Sequence, residues 1–576
     1  MKFRIAAAVL LAFVAACSET PRVAAPIAPS AKAHTTPSAA SARIAQTANP
    51  FATHAAIEML DRGGNAIDAI VAAQMVLGLV EPQMSGPGGG SLLIYWDASQ
   101  RKLVSFDGLA AAPARTTASL RTALDGRLLP RAAVMTGGRS VAVPGTLPML
   151  AEVHQRYGKL PWATLFEPAI ALAERGFPLP EFLHRIVELD HVDPRLTPDL
   201  AMYFDVEGNP LPIGTIIPNP EYAETLRRIA ARGVDGLLGD GGAERIVASA
   251  QRGPLPSLMT PEDLRNYRPV EREPVCAPFL AYRVCTVPPP SYGGIYLLQL
   301  LQMMQSRSGG HYDFDDPAFV HLFVEAGRLA RADRAKYVGD PAFTPVPTNG
   351  LIAAEYARER AASIDASAAN AHPQAGLPAG ADIALVPMEP MTMSGTSQLT
   401  VADASGDVVA MTSTNNLGFG SRLMVDGYVL NDALTNFSPA PKPGERAANA
   451  MQPHKRPFTS MAPAIVFDAS GAPFAAGGSA GGGPIPDYIG QGWIEMLANH
   501  ATPAQAIVMG HVSTATIGKI VVERGTSAER LAAPLRALGH NVVVGPLLSG
   551  AGYIERANGG WIGAADPRRG GDVQGD

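Results

Sequence analysis

At Thr396 the apolar pattern of this 576-residue chain changes period. Upstream, apolar residues recur at helical spacing from Thr53 to Val80, broken at Arg62-Gly63-Gly64, with Asn65 placed to cap a second helix. A mostly helical stretch runs from about Leu147 to Tyr337, interrupted by the hairpin-like VCAPFLAYRVCTV and by the turn-forming Pro288-Pro289-Pro290. The polar, Ala-rich segment from about Ala353 to Ser394 reads as exposed loop. Downstream, SQLTVAD, DVVAMTST, GYVLN, PAIVF and PFAAGG are short alternating or β-branched runs separated by turn dipeptides such as Ser405-Gly406 and Asp426-Gly427. Helices on both sides of a strand-rich half predict layers of helix around stacked sheets.

With 47% hydrophobic and 17% charged residues, the chain can bury a large core. Its 58 Gly and 51 Pro are spread along it rather than gathered in linkers, which fits one large interleaved body. The formal net charge is −6, and no basic stripe with interleaved aromatics is present, which disfavours a nucleic-acid partner and leaves small molecules or peptides. No Cys-x-x-Cys, His-Glu-x-x-His or EF-hand spacing occurs, so nothing calls for a metal, and nothing in the sequence implies another cofactor.

The start, MKFRIAAAVLLAFVAACSE, joins a basic end to an apolar run of about a dozen residues and a Val14-Ala15-Ala16-Cys17 ending. Residues 1–17 read as a lipoprotein-type signal, with Cys17 the lipidation site; an ordinary signal peptide with a chance cysteine is the alternative. Residues 18–48, rich in Ala, Ser, Thr and Pro, read as a flexible tether. An exported chain, periplasmic or membrane-anchored through a lipid, is the expectation. Cys276 and Cys285 are then in an oxidising compartment on adjacent strand segments, although spacing alone does not establish that they pair.

Gly477-Gly478-Ser479-Ala480-Gly481 fits a nucleophile elbow, with Asp487 and His500, His511 or His540 as partners in a serine hydrolase. Alternatively, the run through Gly483 is a nest of backbone N–H groups for an oxyanion. Gly86 to Ser91 lacks the Gly-Lys-Ser/Thr ending of a phosphate loop and reads as a tight, backbone-close turn. His454-Lys455-Arg456 reads as a solvated turn. By residue type alone Thr396 is only a good strand former.

A set of segments in order makes the chain resemble the γ-glutamyltransferase (glutathione hydrolase) family: RGGNAIDAIVAA at 62, SGPGGGS at 85, SVAVPGTLPML at 140, PPPSYGGIYLLQLL at 288, GTSQLTVAD at 395, HKRPFTSMAPAIV at 454, GGSAGGG at 477 and AADPRR at 564. The resemblance implies an N-terminal-nucleophile hydrolase: an α+β, four-layer αββα sandwich formed jointly by a large subunit, 49–395, and a small one, 396–576, after the precursor cuts itself between Gly395 and Thr396. Thr396 is then both nucleophile and, through its new α-amino group, its own base; an α-amino group titrates near 8 and is partly neutral at pH 7. The same resemblance implies Thr414 as the threonine supporting the nucleophile, Asn416 as a substrate contact, Gly481 and Gly482 as oxyanion donors, and Thr459 and Ser460 as the hydroxyl pair for a substrate carboxylate.

The sequence departs from the family where the glutamyl group is gripped. Leu109 occupies the place of the arginine that holds the α-carboxylate, and Arg115 is no obvious substitute. Asn436 replaces the aspartate that pairs with the α-amino group, and Ala433 a polar neighbour. The short segment between Phe437 and His454 leaves no room for a tyrosine-bearing lid. The expectation is therefore a self-processing amidohydrolase of the γ-glutamyltransferase type, acting on a glutathione-like or other acyl amide. A cephalosporin-acylase-like enzyme for a non-glutamyl acyl group is the alternative within the class. A serine α/β-hydrolase using Ser479 and an inactive binding lipoprotein are the alternatives outside it.

Overall fold

The computed structural model describes residues 38–576 apart from 41, 123–126, 190–191, 194, 389–394 and 517. The signal segment and Cys17 lie outside the described residues. The tether expected through position 48 ends earlier, since Ser38–Ala40 and Ile44–Thr47 are strands. The second is flanked by Ser397–Ala402 on one side and Asp572–Gly575 on the other, so its backbone groups pair inside a sheet.

Two seven-stranded sheets, antiparallel throughout, carry the architecture. One runs in the order Ser38–Ala40, Gly560–Ala565, Gly550–Ala557, Pro473–Ala480, Ala464–Phe467, Tyr282–Thr286, Val275–Phe279. The other runs Asp572–Gly575, Ile44–Thr47, Ser397–Ala402, Val408–Thr414, Gly90–Asp97, Lys102–Gly108, Val270–Arg272. Both mix strands from before and after Thr396, so neither side of that residue owns a complete sheet.

Strand alternation builds the layers. Leu92, Ile94, Trp96, Val408 and Ala410 face inward, where they meet Ile465, Phe467, Ala476 and Ile554 of the other sheet. Their neighbours Leu93, Tyr95, Val409 and Met411 face outward onto the helices Pro50–Asp61 and Ala66–Val80. Ala464, Val466 and Tyr553 face outward from the other sheet onto Tyr292–Arg307, Pro317–Tyr337 and Ile485–Ala498. Three apolar slabs thus separate helix, sheet, sheet and helix, the expected αββα sandwich. Ala66–Val80 is buried on every face, which explains a sequence apolar nearly all round. Asn65 caps it as expected, in a reciprocal box with Asp68.

The predicted hairpin pairs Cys276 with Cys285, and a disulfide joins them. Two further expectations fail. The segment 353–394 is not all loop: Ala354–Ala362 is a helix that buries Tyr356, Ala357, Arg360 and Ala361, a one-sided spacing that overrides its polar composition. Nor is the basic cluster at 454–456 a solvated turn. Lys455 is fully buried with Nζ donating to the Ala448 carbonyl (2.8 Å), and Arg456 donates to the Arg268 carbonyl (2.7 Å) and lies 3.4 Å from the Asp107 carboxylate.

Candidate active site

Thr396 is buried at the head of the strand Ser397–Ala402. That strand and Val408–Thr414 form a hairpin in which Ser397 lies opposite Ser413, and the same register sets Thr414 opposite Thr396. The eighteen-residue separation of the two threonines is therefore hairpin geometry. The Thr396 hydroxyl donates to the carbonyl oxygen of Gly395, and the Thr414 hydroxyl donates to the same oxygen (2.5 Å). The Asn416 N–H in turn donates to Thr414 Oγ1 (2.7 Å), which orients that hydroxyl. Gly395 has φ +121°, and a Cβ there would stand 2.5 Å from the Asn416 carbonyl oxygen, so only glycine fits. Asn416 itself holds φ +83°, secured by its side-chain amide donating to Thr435 Oγ1 (2.8 Å). The turn at Gly86 to Ser91 is as backbone-close as its glycines suggested, since a Cβ on Gly89 would lie 2.3 Å from the Thr414 carbonyl oxygen.

Behind the nucleophile sits a pair of ionisable side chains that sequence reasoning did not identify. Arg569 donates from Nη1 to the Thr396 carbonyl (3.0 Å) and from Nε and Nη2 to the Leu548 carbonyl (3.0 and 2.9 Å). Glu81, fully buried, accepts from the hydroxyl of Ser397 (3.2 Å). Burial pushes its carboxyl up to about 8, against the opposing pull of Arg569. Arg569 was legible only as part of a landmark, AADPRR, and Glu81 carried no signal beyond a buried helix end.

The glycine run begins inside a sheet. Ser479 lies in the strand Pro473–Ala480, opposite Ala551, fully buried, with its hydroxyl donating to the Ala480 carbonyl (2.8 Å). His511 is bound to Ser549 (2.9 Å), His540 to His321 (2.7 Å), His500 is exposed, and Asp487 is held by Arg331 and Ser513 (both 2.8 Å). Those four candidate partners are thus engaged elsewhere or exposed, and Ser479 is paired with Ala551 in the sheet with its buried hydroxyl held by the Ala480 carbonyl. Gly481 and Gly482 follow with φ +128° and +69°; a Cβ on Gly481 would stand 2.7 Å from the Tyr488 ring and 3.2 Å from the Leu548 carbonyl oxygen. Since Arg569 grips that carbonyl together with the Thr396 carbonyl, it ties the glycine run to the nucleophile. Ser460 Oγ donates to the Gly482 carbonyl (2.8 Å) and so sits beside the run, whereas Thr459 Oγ1 accepts from the Met461 N–H (3.3 Å).

The recognition positions look different. Leu109 is buried among the apolar side chains between the two sheets. The neighbouring Asp107 is engaged by Arg272 (2.8 Å) and Arg456 (3.4 Å), and Arg115 is exposed. Asn436 is buried on the short helix Ala433–Asn436; its side-chain oxygen has no hydrogen-bond partner, while its backbone carbonyl accepts from Asn449 (2.8 Å). Asp432 accepts from the Leu417 N–H (2.9 Å), and burial pushes its carboxyl up to about 7.

A four-layer αββα body, with a threonine at the head of a central strand and its hydroxyl on the preceding carbonyl, defines the N-terminal-nucleophile hydrolase class. Residues 52–575 match the family described as gamma-glutamyltranspeptidase, and the chain belongs to that family. It is 33% identical over 536 residues to a glutathione hydrolase proenzyme of Bacillus subtilis, covering 91% of this chain and 90% of that one. It is 34% identical over 523 residues to an acylase ACY 1 proenzyme of a Pseudomonas species, covering 89% of each. The cephalosporin acylase structure from Bacillus halodurans superposes with a TM-score of 0.82 at 26% identity, over 96% of this chain and 99% of that one.

Proposed function

We propose that this chain is an exported, self-processing amidohydrolase whose acyl substrate needs no α-amino group. The observation that carries the cutting step is the carbonyl of Gly395, held by the hydroxyls of both Thr396 and Thr414. In the precursor, Thr396 Oγ attacks the Gly395 carbonyl carbon, the C–N bond breaks and its nitrogen takes the hydroxyl proton. Water then hydrolyses the resulting ester. This leaves Gly395 as a carboxylate and Thr396 with a free α-amine. In the mature enzyme that amine takes the Thr396 hydroxyl proton as the hydroxyl attacks a substrate amide, with Gly481 and Gly482 as backbone donors to the oxyanion. The leaving amine departs with the proton, and water or a second amine releases the acyl group.

The acylase-like reading is favoured over the γ-glutamyl one by Leu109, packed in apolar surroundings, and by Asn436, an amide in place of a carboxylate. A charge-assisted hydrogen bond is worth about 1.5 to 3 kcal/mol, so losing the partner of the α-amino group removes roughly ten- to a hundredfold in discrimination. Lipid attachment at Cys17 is part of the proposal, supported by the basic, apolar, small-residue order of the first seventeen residues.

On a denaturing gel the wild-type protein runs as fragments of about 40 and 19 kDa, scaled from 60.2 kDa by residue number on either side of Thr396. A single intact chain instead sinks the proposal and leaves a binding lipoprotein. Given cleavage, γ-glutamyl-p-nitroanilide and glutaryl-p-nitroanilide, which differ only in the α-amino group, are expected to show a kcat/KM ratio at or below one. A ratio far above one restores the γ-glutamyl reading.

A further inference from the structure

Gly481 and Gly482 cannot fix their own backbone. They hold φ +128° and +69° with no Cβ to restrict either, so the direction of their N–H groups is imposed by what grips the peptide planes on either side. On the near side the run continues the strand Pro473–Ala480, where Ala480 pairs with Gly550. On the far side it enters the helix Ile485–Ala498. There the Gly482 carbonyl accepts from Ser460 Oγ (2.8 Å) and the Ile485 N–H (3.0 Å), and the Gly483 carbonyl accepts from Arg331 Nη2 (3.2 Å).

Arg331 reaches the run from upstream of Thr396. It lies on the helix Pro317–Tyr337, one turn after Gly327, where a Cβ would stand 2.4 Å from Tyr296 Oη and 3.1 Å from Thr514 Oγ1. That glycine lets the helix close onto Thr514, and Arg331, on the same helix face, is buried there. Its Nε donates to Thr514 Oγ1 (2.7 Å), and its Nη2 donates to Asp487 Oδ2 (2.8 Å) as well as to Gly483. Asp487 is fully buried in the first turn of Ile485–Ala498, where it also accepts from Ser513 Oγ (2.8 Å), the Thr514 N–H (3.0 Å) and the Tyr296 hydroxyl. Burial opposes the charge on Arg331, and the Asp487 carboxylate beside it more than offsets this. A buried carboxylate needs a paired cation, and the arginine fork lets one cation hold both the carboxylate and a backbone carbonyl. So close in the chain to the oxyanion donors, an unpaired carboxylate at 487 would also oppose the negative charge that develops there.

We infer that Arg331 is a positioning residue for the oxyanion: it holds the Gly483 carbonyl, balances Asp487, and so keeps the N–H groups of Gly481 and Gly482 aimed at the substrate carbonyl. This rests on the amidohydrolase reading above. Arg569 joins the Leu548 and Thr396 carbonyls from within the small subunit, and Arg331 adds a second grip from the large one. The Gly395 carbonyl is held instead by the Thr396 and Thr414 hydroxyls, so self-cleavage is expected to proceed without the Arg331 grip.

The test uses cleaved protein and the best substrate among γ-glutamyl-, glutaryl- and pentanoyl-p-nitroanilide. Beside turnover it measures inhibition by butylboronic acid, whose boron takes the Thr396 oxygen, the hydroxyl proton passing to the α-amine, to give a tetrahedral anion resembling the oxyanion. The double variant Arg331→Met with Asp487→Asn removes the ion pair without stranding either charge. Its kcat is expected to fall at least about tenfold with KM within about twofold, and its boronate Ki to rise in step. Arg331→Lys keeps a charge beside Asp487 but has no fork for Gly483, and is expected to fall between the two. Wild-type kcat and Ki in the double variant overturn the inference, as does a loss carried by KM alone. If the double variant does not self-cleave, Arg331→Lys decides by the same criteria. Failure of both to self-cleave overturns it too, because the grip would then serve the fold rather than the oxyanion. A wild-type chain that neither self-cleaves nor hydrolyses any anilide refutes the amidohydrolase reading instead.

Discussion

The cutting centre and the recognition region of this protein are built from different materials. Around Thr396 the contacts are backbone carbonyls, backbone N–H groups and short hydroxyls on paired strands: Gly395, Thr414, Asn416, and the glycines at 481 and 482. At the recognition positions single side chains differ instead: Leu109, just after the strand Lys102–Gly108, is apolar, and Asn436, on the short helix Ala433–Asn436, is neutral. A reaction centre made of backbone survives only with the whole sheet register behind it. Selectivity made of single side chains is rewritten by substitutions that leave the register alone.

The sharpest way to break this comparison is Thr396→Ala. It is expected to abolish self-cleavage and lower amide hydrolysis by at least about 10⁴-fold, measured by gel and p-nitroanilide release. Residual turnover near wild type would move the nucleophile elsewhere. Next, Gly481→Ala drives a Cβ into the Tyr488 ring and strains a backbone at φ +128°. If this displaces one oxyanion donor, kcat falls about 100- to 1000-fold with little change in KM. A loss confined to KM would place the run in binding rather than catalysis.

On the recognition side, Asn436→Asp restores a carboxylate beside the acyl site. It is expected to raise the γ-glutamyl over glutaryl ratio about tenfold while self-cleavage proceeds. Leu109→Arg is expected to do the opposite of restoring a grip: the side chain lies between the sheets, and a buried unpaired charge costs several kcal/mol, read as a large fall in Tm.

The smallest effect concerns pH. Glu81 is pushed up to about 8 in the fold, above the usual carboxylate range of the unfolded chain, so between about 4.5 and 8 the native state binds the extra proton. Stability from this group is present at low pH and falls as pH rises through that window. Glu81→Gln is therefore expected to flatten the decline of Tm from pH 5 to 8, and an unaltered slope would show that Arg569 holds the carboxylate charged.

Much of the fold was legible locally. The capped helix Ala66–Val80, the strands Ser397–Ala402 and Val408–Thr414, and the hairpin at Val275–Thr286 follow from apolar period and turn residues, which act over a few positions. The helix Ala354–Ala362 was missed because composition outweighed a short one-sided pattern. The lysine and arginine of the 454–456 cluster were misread because charge alone does not reveal that an Asp107 or an Ala448 carbonyl waits to receive it.

By itself the sequence determined the alternation that makes two-faced strands, the glycines that only positive φ explains, and the threonine at the head of the central hairpin. Tertiary structure alone decided that Ile44–Thr47 and Asp572–Gly575 lie side by side, that Arg569 and Glu81 close behind Thr396, and that Ser479 is sealed in a sheet. The physical reason is range. Period and capping are set by neighbours in the chain, whereas strand order and charge pairing depend on which distant segments together exclude water, and no local pattern encodes that choice.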